Sequence, residues 1–344
     1  MKKFFGKYKK MAVILLCCIL LFGCFSACTG NRVKIKIGTG SEQGSYYSYV
    51  TNLAMITKDD ADMKVMATAG SAANVRLLQK GFVDAAIVQN DILYSASEGS
   101  GIFDDSDFET PLNFSAVSGL YTECIQVVVL KDSDINSIDD LAGKKVSVGE
   151  AESGVIQNAE QILNLYGITF QDIESYNLSF ELSSDALKNE EIDAFFITAG
   201  APTQAINDLA KEMPIRILSF SDSEIERIRN RYPFYFSVTI PAETYEGMKE
   251  DVQTIGVRAV LVVSNKMKKE TVKSLTEKVL MYSSELTSYS VTDEVFVVSD
   301  VRDAVSFIPI AFHPGAVEYY NSQGLSVEEN EEINGVFVFG SQDE

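Results

Sequence analysis

Val33-Lys34-Ile35-Lys36-Ile37-Gly38-Thr39-Gly40-Ser41-Glu42-Gln43-Gly44-Ser45-Tyr46-Tyr47 decides how this chain folds. Apolar Val33, Ile35 and Ile37 alternate with Lys34, Lys36 and Gly38, the period of two that marks a β-strand. A glycine-rich turn follows, and a helical segment runs from about Tyr46 to Thr57. The same order then returns. A strand over Met63 to Ala67 ends in Thr68-Ala69-Gly70-Ser71, a helix covers about Ala72 to Lys80 and stops at Gly81, and Ala85-Ala86-Ile87-Val88 reads as a buried strand. Strand, turn, helix, strand is the βαβ unit of a parallel sheet.

The plan starts afresh near residue 145. The apolar, β-branched run Gln126 to Leu130 is a buried strand, and Ser137 to Lys145 reads as a short capped helix and turn. Val146-Ser147-Val148-Gly149 is a strand, Glu150 to Gly154 a small-residue turn, and Val155 to Tyr166 a helix ended by Gly167. Strands near Glu174–Asn177, Ala194–Ile197 and Ile215–Leu218 complete a second α/β set. Later come the apolar strand Val257 to Val263, a long helix over Lys269 to Tyr289 and an acidic end from Glu328. Taking 125–130 and 257–263 as the two hinge strands makes 131–256 one lobe. The other lobe is then discontinuous, 33–124 plus 264–344. The expected fold is α/β and two-lobed, with a cleft between lobes joined by two hinge strands.

The first residues read as an export signal. Lys2, Lys3, Lys7, Lys9 and Lys10 precede an apolar run from Met11 to Phe22, short for a membrane span and flanked as a signal peptide is. Phe25-Ser26-Ala27-Cys28-Thr29-Gly30 offers a lipidation site at Cys28, so residues 1–28 are expected to be the signal of a lipoprotein. Leu21-Phe22-Gly23-Cys24 is a second candidate, less favoured because Phe22 and Phe25 are bulky. An ordinary cleaved signal or an uncleaved anchor is the plainer alternative. Removal of the signal leaves roughly 315 residues, more than one core usually carries. It also leaves Cys124 without a disulfide partner, in the buried run that follows it. Asp and Glu number 49 against 29 Lys and Arg, for a net charge of −20. That excludes the basic surface a nucleic-acid partner needs.

The turns carry the functional signal. Gly40-Ser41 with Gly44-Ser45, Gly70-Ser71 and Ser153-Gly154 all stand where a strand passes into a helix. Such a turn exposes backbone N–H groups at a helix N-terminus, where the dipole favours negative charge. In open α/β sheets, ligands bind at the carboxyl ends of strands. For any single turn, plain helix capping explains the residues as well; their recurrence in both lobes points to a shared ligand. Tyr46 and Tyr47 follow the first turn, Gln89 ends the strand Ala85–Val88, and Asn74 and Arg76 lie in the second helix.

Enzyme signals are weak. The single His, His313, has no nucleophile elbow to serve. The chain shows no Walker sequence, no third glycine after Gly38 and Gly40 for a dinucleotide fingerprint, and no metal-ligand cluster. No cofactor and no metal are expected.

Taken together, Gly38-Thr39-Gly40-Ser41, Gly44-Ser45-Tyr46-Tyr47, Thr68-Ala69-Gly70-Ser71 with Asn74, and Gly81 through Asp91 resemble the TAXI family, the extracytoplasmic solute receptors of TRAP transporters. So do Asp140 through Gly149, Ser153-Gly154, Ala199-Gly200-Ala201-Pro202 and His313-Pro314-Gly315-Ala316 with Tyr319-Tyr320. The resemblance covers nearly the whole mature chain. It implies a type II periplasmic-binding-protein fold and capture of glutamate, glutamine or a related carboxylate. The ligand would pass to a TRAP membrane permease subunit, from a receptor held at the outer face of the cell membrane by its lipid and expected to be a monomer. Carried over residue by residue, the ligand contacts are Ser41, Tyr46, Tyr47, Ser71, Asn74, Gln89, Ser153 and Gly154. Ser48 and Val155 depart from the family's Pro and Thr, which bears on the ligand more than on the fold. A sensory receptor of the same fold is the second reading. An extracellular enzyme is the third; it would lose turnover with His313→Ala, whereas a receptor shows saturable binding and no product.

Overall fold

Residues 32–104, 108, 110–287 and 297–327 are described by the computed structural model. Cys28, the alternative Cys24, the rest of the expected signal and the acidic end from Glu328 lie outside the described residues. Among the described residues no helix is long and apolar enough to cross a membrane.

Lobe I opens as its alternation dictates. Strand β1 (Val33–Gly38) buries Ile35 and Ile37 and exposes Lys34, Lys36 and the first residue, Val33, and helix α1 (Ser45–Ile56) follows. Next come β2 (Ala61–Met66), α2 (Ser71–Gln79), β3 (Ala85–Gln89) and α3 (Asn90–Glu98). β1 pairs in parallel with both β2 and β3, completing the βαβ unit. Strand β4 (Phe114–Leu130) then runs seventeen residues without a break.

Lobe II holds β5 (Lys145–Ser147), α4 (Gly154–Leu165), β6 (Glu174–Tyr176), α5 (Phe180–Lys188), β7 (Ala194–Ala199) and α6 (Gln204–Glu212). β8 (Ile215–Ile217), α7 (Asp222–Arg231) and β9 (Phe236–Ile240) follow. β10 (Val252–Ser264) leads back to lobe I, which closes with α8 (Lys269–Met281), α9 (Ser283–Thr287) and α10 (Pro314–Ser322). Among the described residues, ten strands share one sheet in the order β2-β1-β3-β10-β4-β7-β5-β6, with β8 beside β4 and β9 beside β10.

β4 and β10 tie the halves together. Residues 114–124 of β4 pair with β10, whereas 124–130 pair with β7 and β8 of lobe II. In β10, 252–256 pair with β9 and 259–263 with β3 of lobe I. The segments expected as hinges, 125–130 and 257–263, are therefore parts of two longer ladders. Their neighbours Ser115, Ser118, Gly119 and Thr122 hid the first half of β4, because they break the apolar run while being buried all the same.

β7 shows how both faces of the sheet are covered. Phe195, Ile197 and Ala199 join the larger core with Leu187 and Ile206, while Ala194 and Phe196 join a second core with Ile162 and Ile228. A fully buried Phe of this kind contributes about 2–3 kcal/mol. The helix expected over 269–289 is broken: α8 ends at Met281, Tyr282 leaves helical geometry, and α9 is a separate turn ending at Thr287.

Candidate functional site

Three helix heads from two lobes face one another. α1 begins after Gly44 and α2 after Gly70, and neither has a side-chain cap. Gly70 sits at φ +122, and a β-carbon there would meet Ser153 Cα at 3.3 Å. Only glycine suits both that backbone and that approach. α4 begins after Ser153, whose hydroxyl accepts from Ile156 N–H at 3.3 Å. The turns that carry Ser41, Ser71 and Ser153 line one cleft.

The lobes meet across it. Ala73 N–H, one of the donors a helix start leaves over, donates to Glu152 C=O at 2.9 Å. Arg76 Nε lies 3.1 Å from Glu152 Oε2, and its guanidinium carbon sits 5.2 Å over the Phe103 ring. Arg76 thus joins the two lobes at the mouth and does not line the cleft. Farther in, Asn158 Nδ2 donates to Asp91 Oδ2 at 2.7 Å and Gln157 Nε2 to Ser95 at 3.1 Å. Burial pushes the Asp91 carboxyl up to about 7. With the lobes in contact the cleft holds about 40 Å³, room for a few waters, whereas small-molecule sites run to roughly 300–1,000 Å³. Entry of a solute therefore requires the lobes to part.

Of the eight residues drawn from the resemblance, Ser41, Tyr46, Ser71, Gln89, Ser153 and Gly154 line this cleft. Tyr47 and Asn74 do not. Asn74 is spent on the fold: its Nδ2 donates to Thr39 C=O at 2.6 Å and Ile87 C=O at 2.9 Å, and its Oδ1 accepts from Thr68 at 2.8 Å. Tyr47 is half-buried on α1. His313 caps α10, its Nδ1 accepting from Gly315 N–H at 3.1 Å. Cys124 is buried and free, and burial holds its thiol above the ordinary range.

Glu123 is the residue that sequence reasoning missed. It is 2% exposed, lines the cleft floor and accepts from Tyr46 Oη at 2.7 Å. Tyr46 Oη also stands 3.3 Å from Ser71 Oγ, which in turn accepts from Gln89 N–H at 3.1 Å. Burial, with no cation to offset it, drives the Glu123 carboxyl up to about 8; Asp91 adds to the rise and the Tyr46 bond opposes it. The available signal was an acid beside Cys124, the one charged residue in the stretch from Phe114 to Leu130. Glu150 on the opposite wall is also raised by burial. Among the described residues, no Lys, Arg or His lines the cleft. Any negative group it receives must meet backbone N–H, hydroxyls and helix dipoles.

The NMT1-like family model matches residues 37–324. The chain belongs to the NMT1-like family. Its fold is two α/β lobes about a cleft. A solved protein of Bordetella bronchiseptica RB50 superposes with a TM-score of 0.53 at 14% identity, over 86% of this chain and 83% of that one. The periplasmic aliphatic sulphonate binding protein SsuA of Escherichia coli gives 0.45 at 13% identity, over 74% and 73%. The GluR0 ligand-binding core of Nostoc punctiforme, solved with L-glutamate, gives 0.46 at 14%, over 74% and 98%. At 14% identity the likeness to the Bordetella protein is one of fold. Glu123 and the three helix heads lie within the span that the NMT1-like family match covers.

Proposed function

We propose that this chain is an extracytoplasmic solute-binding protein that serves a TRAP-type secondary transporter and captures a small carboxylate, such as glutamate or glutamine, by lobe closure. The observation that carries the reading is the meeting of Ser41 and Ser153, from different lobes, in one cleft headed by helix N-termini. A carboxylate between such heads accepts several N–H and hydroxyl bonds at once, and exclusion of water strengthens each of them. Closure of two lobes around a ligand is the hinge motion of such folds.

In this reading residues 131–256 form lobe II, 33–124 with 264–344 form lobe I, and Cys28 carries the lipid that holds a monomeric receptor at the membrane's outer face. The resemblance to TAXI receptors supports the permease partner, and the absence of a nucleophile from the sequence motifs supports a receptor over an enzyme.

A thermal-shift screen of amino and organic acids tests it. A ligand of the folded state adds about 2.7 kcal/mol at a hundredfold excess over its dissociation constant. Stabilisation by at least one acid, with no product formed, is the expected result. No shift with any acid would remove the carboxylate assignment.

A further inference from the structure

Glu123 stands where the cleft, β4 and both lobes meet, and its surroundings are one-sided. From α1 it faces Tyr46, on its own strand Tyr121 and Cys124, from α3 Asp91, and across the cleft Glu150. On the adjacent strand it pairs with Val257; the next residue, Arg258, turns its guanidinium away to Asp303 at 2.6 Å. Among the described residues no cation is set against this buried carboxyl. A second acceptor lies beside it. Gln89 is 2% exposed and its Oε1 has no partner. A β-carbon on Gly154 would fall 1.6 Å from that oxygen, so the amide reaches across the cleft to the head of α4. Donors crowd the helix heads, and acceptors without counter-charge crowd the floor.

We propose that Glu123 selects an ammonium-bearing ligand, and that capture of such a ligand releases one proton from the Glu123 carboxyl to solvent. The proposal rests on the receptor reading above and names what that site discriminates. The chemistry balances simply. The Glu123 O–H loses its proton to buffer, the ligand's R–NH3+ keeps all of its own and donates to the new carboxylate, and the ligand's acid group stays with the helix N–H donors. A neutral carboxyl suits a buried site without a cation; once an ammonium arrives, the ionised form gains a partner and the pair outlasts the acid. Gln89 Oε1 offers a further acceptor to the same ammonium. An acid without the ammonium finds no partner on the floor.

Calorimetric titration of the full chain tests this, with L-glutamate, L-glutamine and the ammonium-free glutarate as probes, near neutral pH and in two buffers of different ionisation enthalpy. The expected result is about one proton released per amino acid bound, with glutarate weaker by roughly tenfold to a hundredfold. Glu123→Gln keeps an acceptor for Tyr46. It is expected to abolish the release and to bring the three probes within a few-fold of one another. Amino-acid binding without proton release, or a preference untouched by Glu123→Gln, overturns the proposal. Glutarate binding as tightly as L-glutamate overturns it too, yet leaves the carboxylate-receptor reading standing. If none of the three binds, this proposal is overturned, while the carboxylate-receptor reading stands or falls on the wider screen of acids. The wild-type titrations decide the matter alone should Glu123→Gln fold poorly.

Discussion

Two buried amides stand near the carboxyl ends of the lobe I strands, and they differ in one respect. Asn74 has both faces of its amide bonded, to Thr39, Ile87 and Thr68. Gln89 is equally buried, and its carbonyl oxygen is bonded to nothing. A buried polar group without a partner costs about 1–3 kcal/mol, and folds rarely carry one without use for it. Asn74 therefore belongs to the architecture: it pins the ends of β1 and β3 to the turn before α2. Gln89 belongs to the cleft. The two were indistinguishable as residue types, and only the bonding separates them. Asp91 Oδ1 and Gln157 Oε1 are also unpartnered, but they sit between α3 and α4 and do not line the cleft.

The sharpest way to break this contrast is to remove each amide in turn. Asn74→Ala removes three buried hydrogen bonds, although Thr68 still donates to Thr39 C=O at 2.7 Å, so a loss on the order of 3 kcal/mol is expected in urea unfolding. Gln89→Ala removes an unpaired oxygen, and its stability is expected to stay within about 1 kcal/mol of the parent while ligand affinity falls roughly tenfold. Equal losses of stability would dissolve the distinction between the two residues.

A smaller effect concerns the acids behind the cleft. Burial raises Asp91 to about 7, far above the ordinary carboxyl range near 4. Between those values the folded chain holds a proton that the unfolded chain has lost. Stability is therefore fully present below the unfolded-state value and falls as pH rises through the window toward 7. The slope for one group is about 1 kcal/mol per pH unit. Asp91→Asn keeps an acceptor for Asn158, so it is expected to flatten the decline between about pH 5 and 7 by that amount. Thermal melts of the two proteins across that range read the difference. Parallel curves would show that Asp91 is ionised in the folded protein.

How far the sequence led is visible in the same residues. Period-two alternation in Val33–Gly38 and the restart of strand-turn-helix near residue 145 were enough for two α/β lobes. The glycine and serine turns led to the helix heads that now face one cleft. What stayed hidden was long-range. Glu123 reads as one acid among 49 acidic residues; its burial comes from β10 and α1 closing over it. α3 escaped notice because it starts directly after β3 with no turn residue between them. α7 did leave a signal, the Ser221 and Glu224 capping box, in a segment too polar to show an apolar face. Asn74 and Gln89 could not be told apart, since a hydrogen-bond partner 35 residues away leaves no trace in local pattern.

The smallest expected effect lies at the mouth of the cleft, where two different bonds join the same pair of turns. One is the ion pair of Arg76 with Glu152, whose side chains are 24% and 45% exposed. The other is the backbone bond from Ala73 N–H to Glu152 C=O. An exposed pair contributes about 0–1 kcal/mol and weakens in salt, whereas the backbone bond depends on neither side chain. Arg76→Ala is therefore expected to shift stability by about 1 kcal/mol, most of it from the lost stacking on Phe103 and the lost bond to Ile102 C=O at 2.8 Å, and to leave closure intact. Small-angle scattering with and without an added ligand, at low and high salt, reads whether the lobes still close. Closure that becomes salt-sensitive, or that disappears in the variant, would mean that the charge pair and not the backbone holds the lobes together. The glycine at position 70 would then matter for its conformation alone, and the helix heads would meet only because a surface ion pair drew them there.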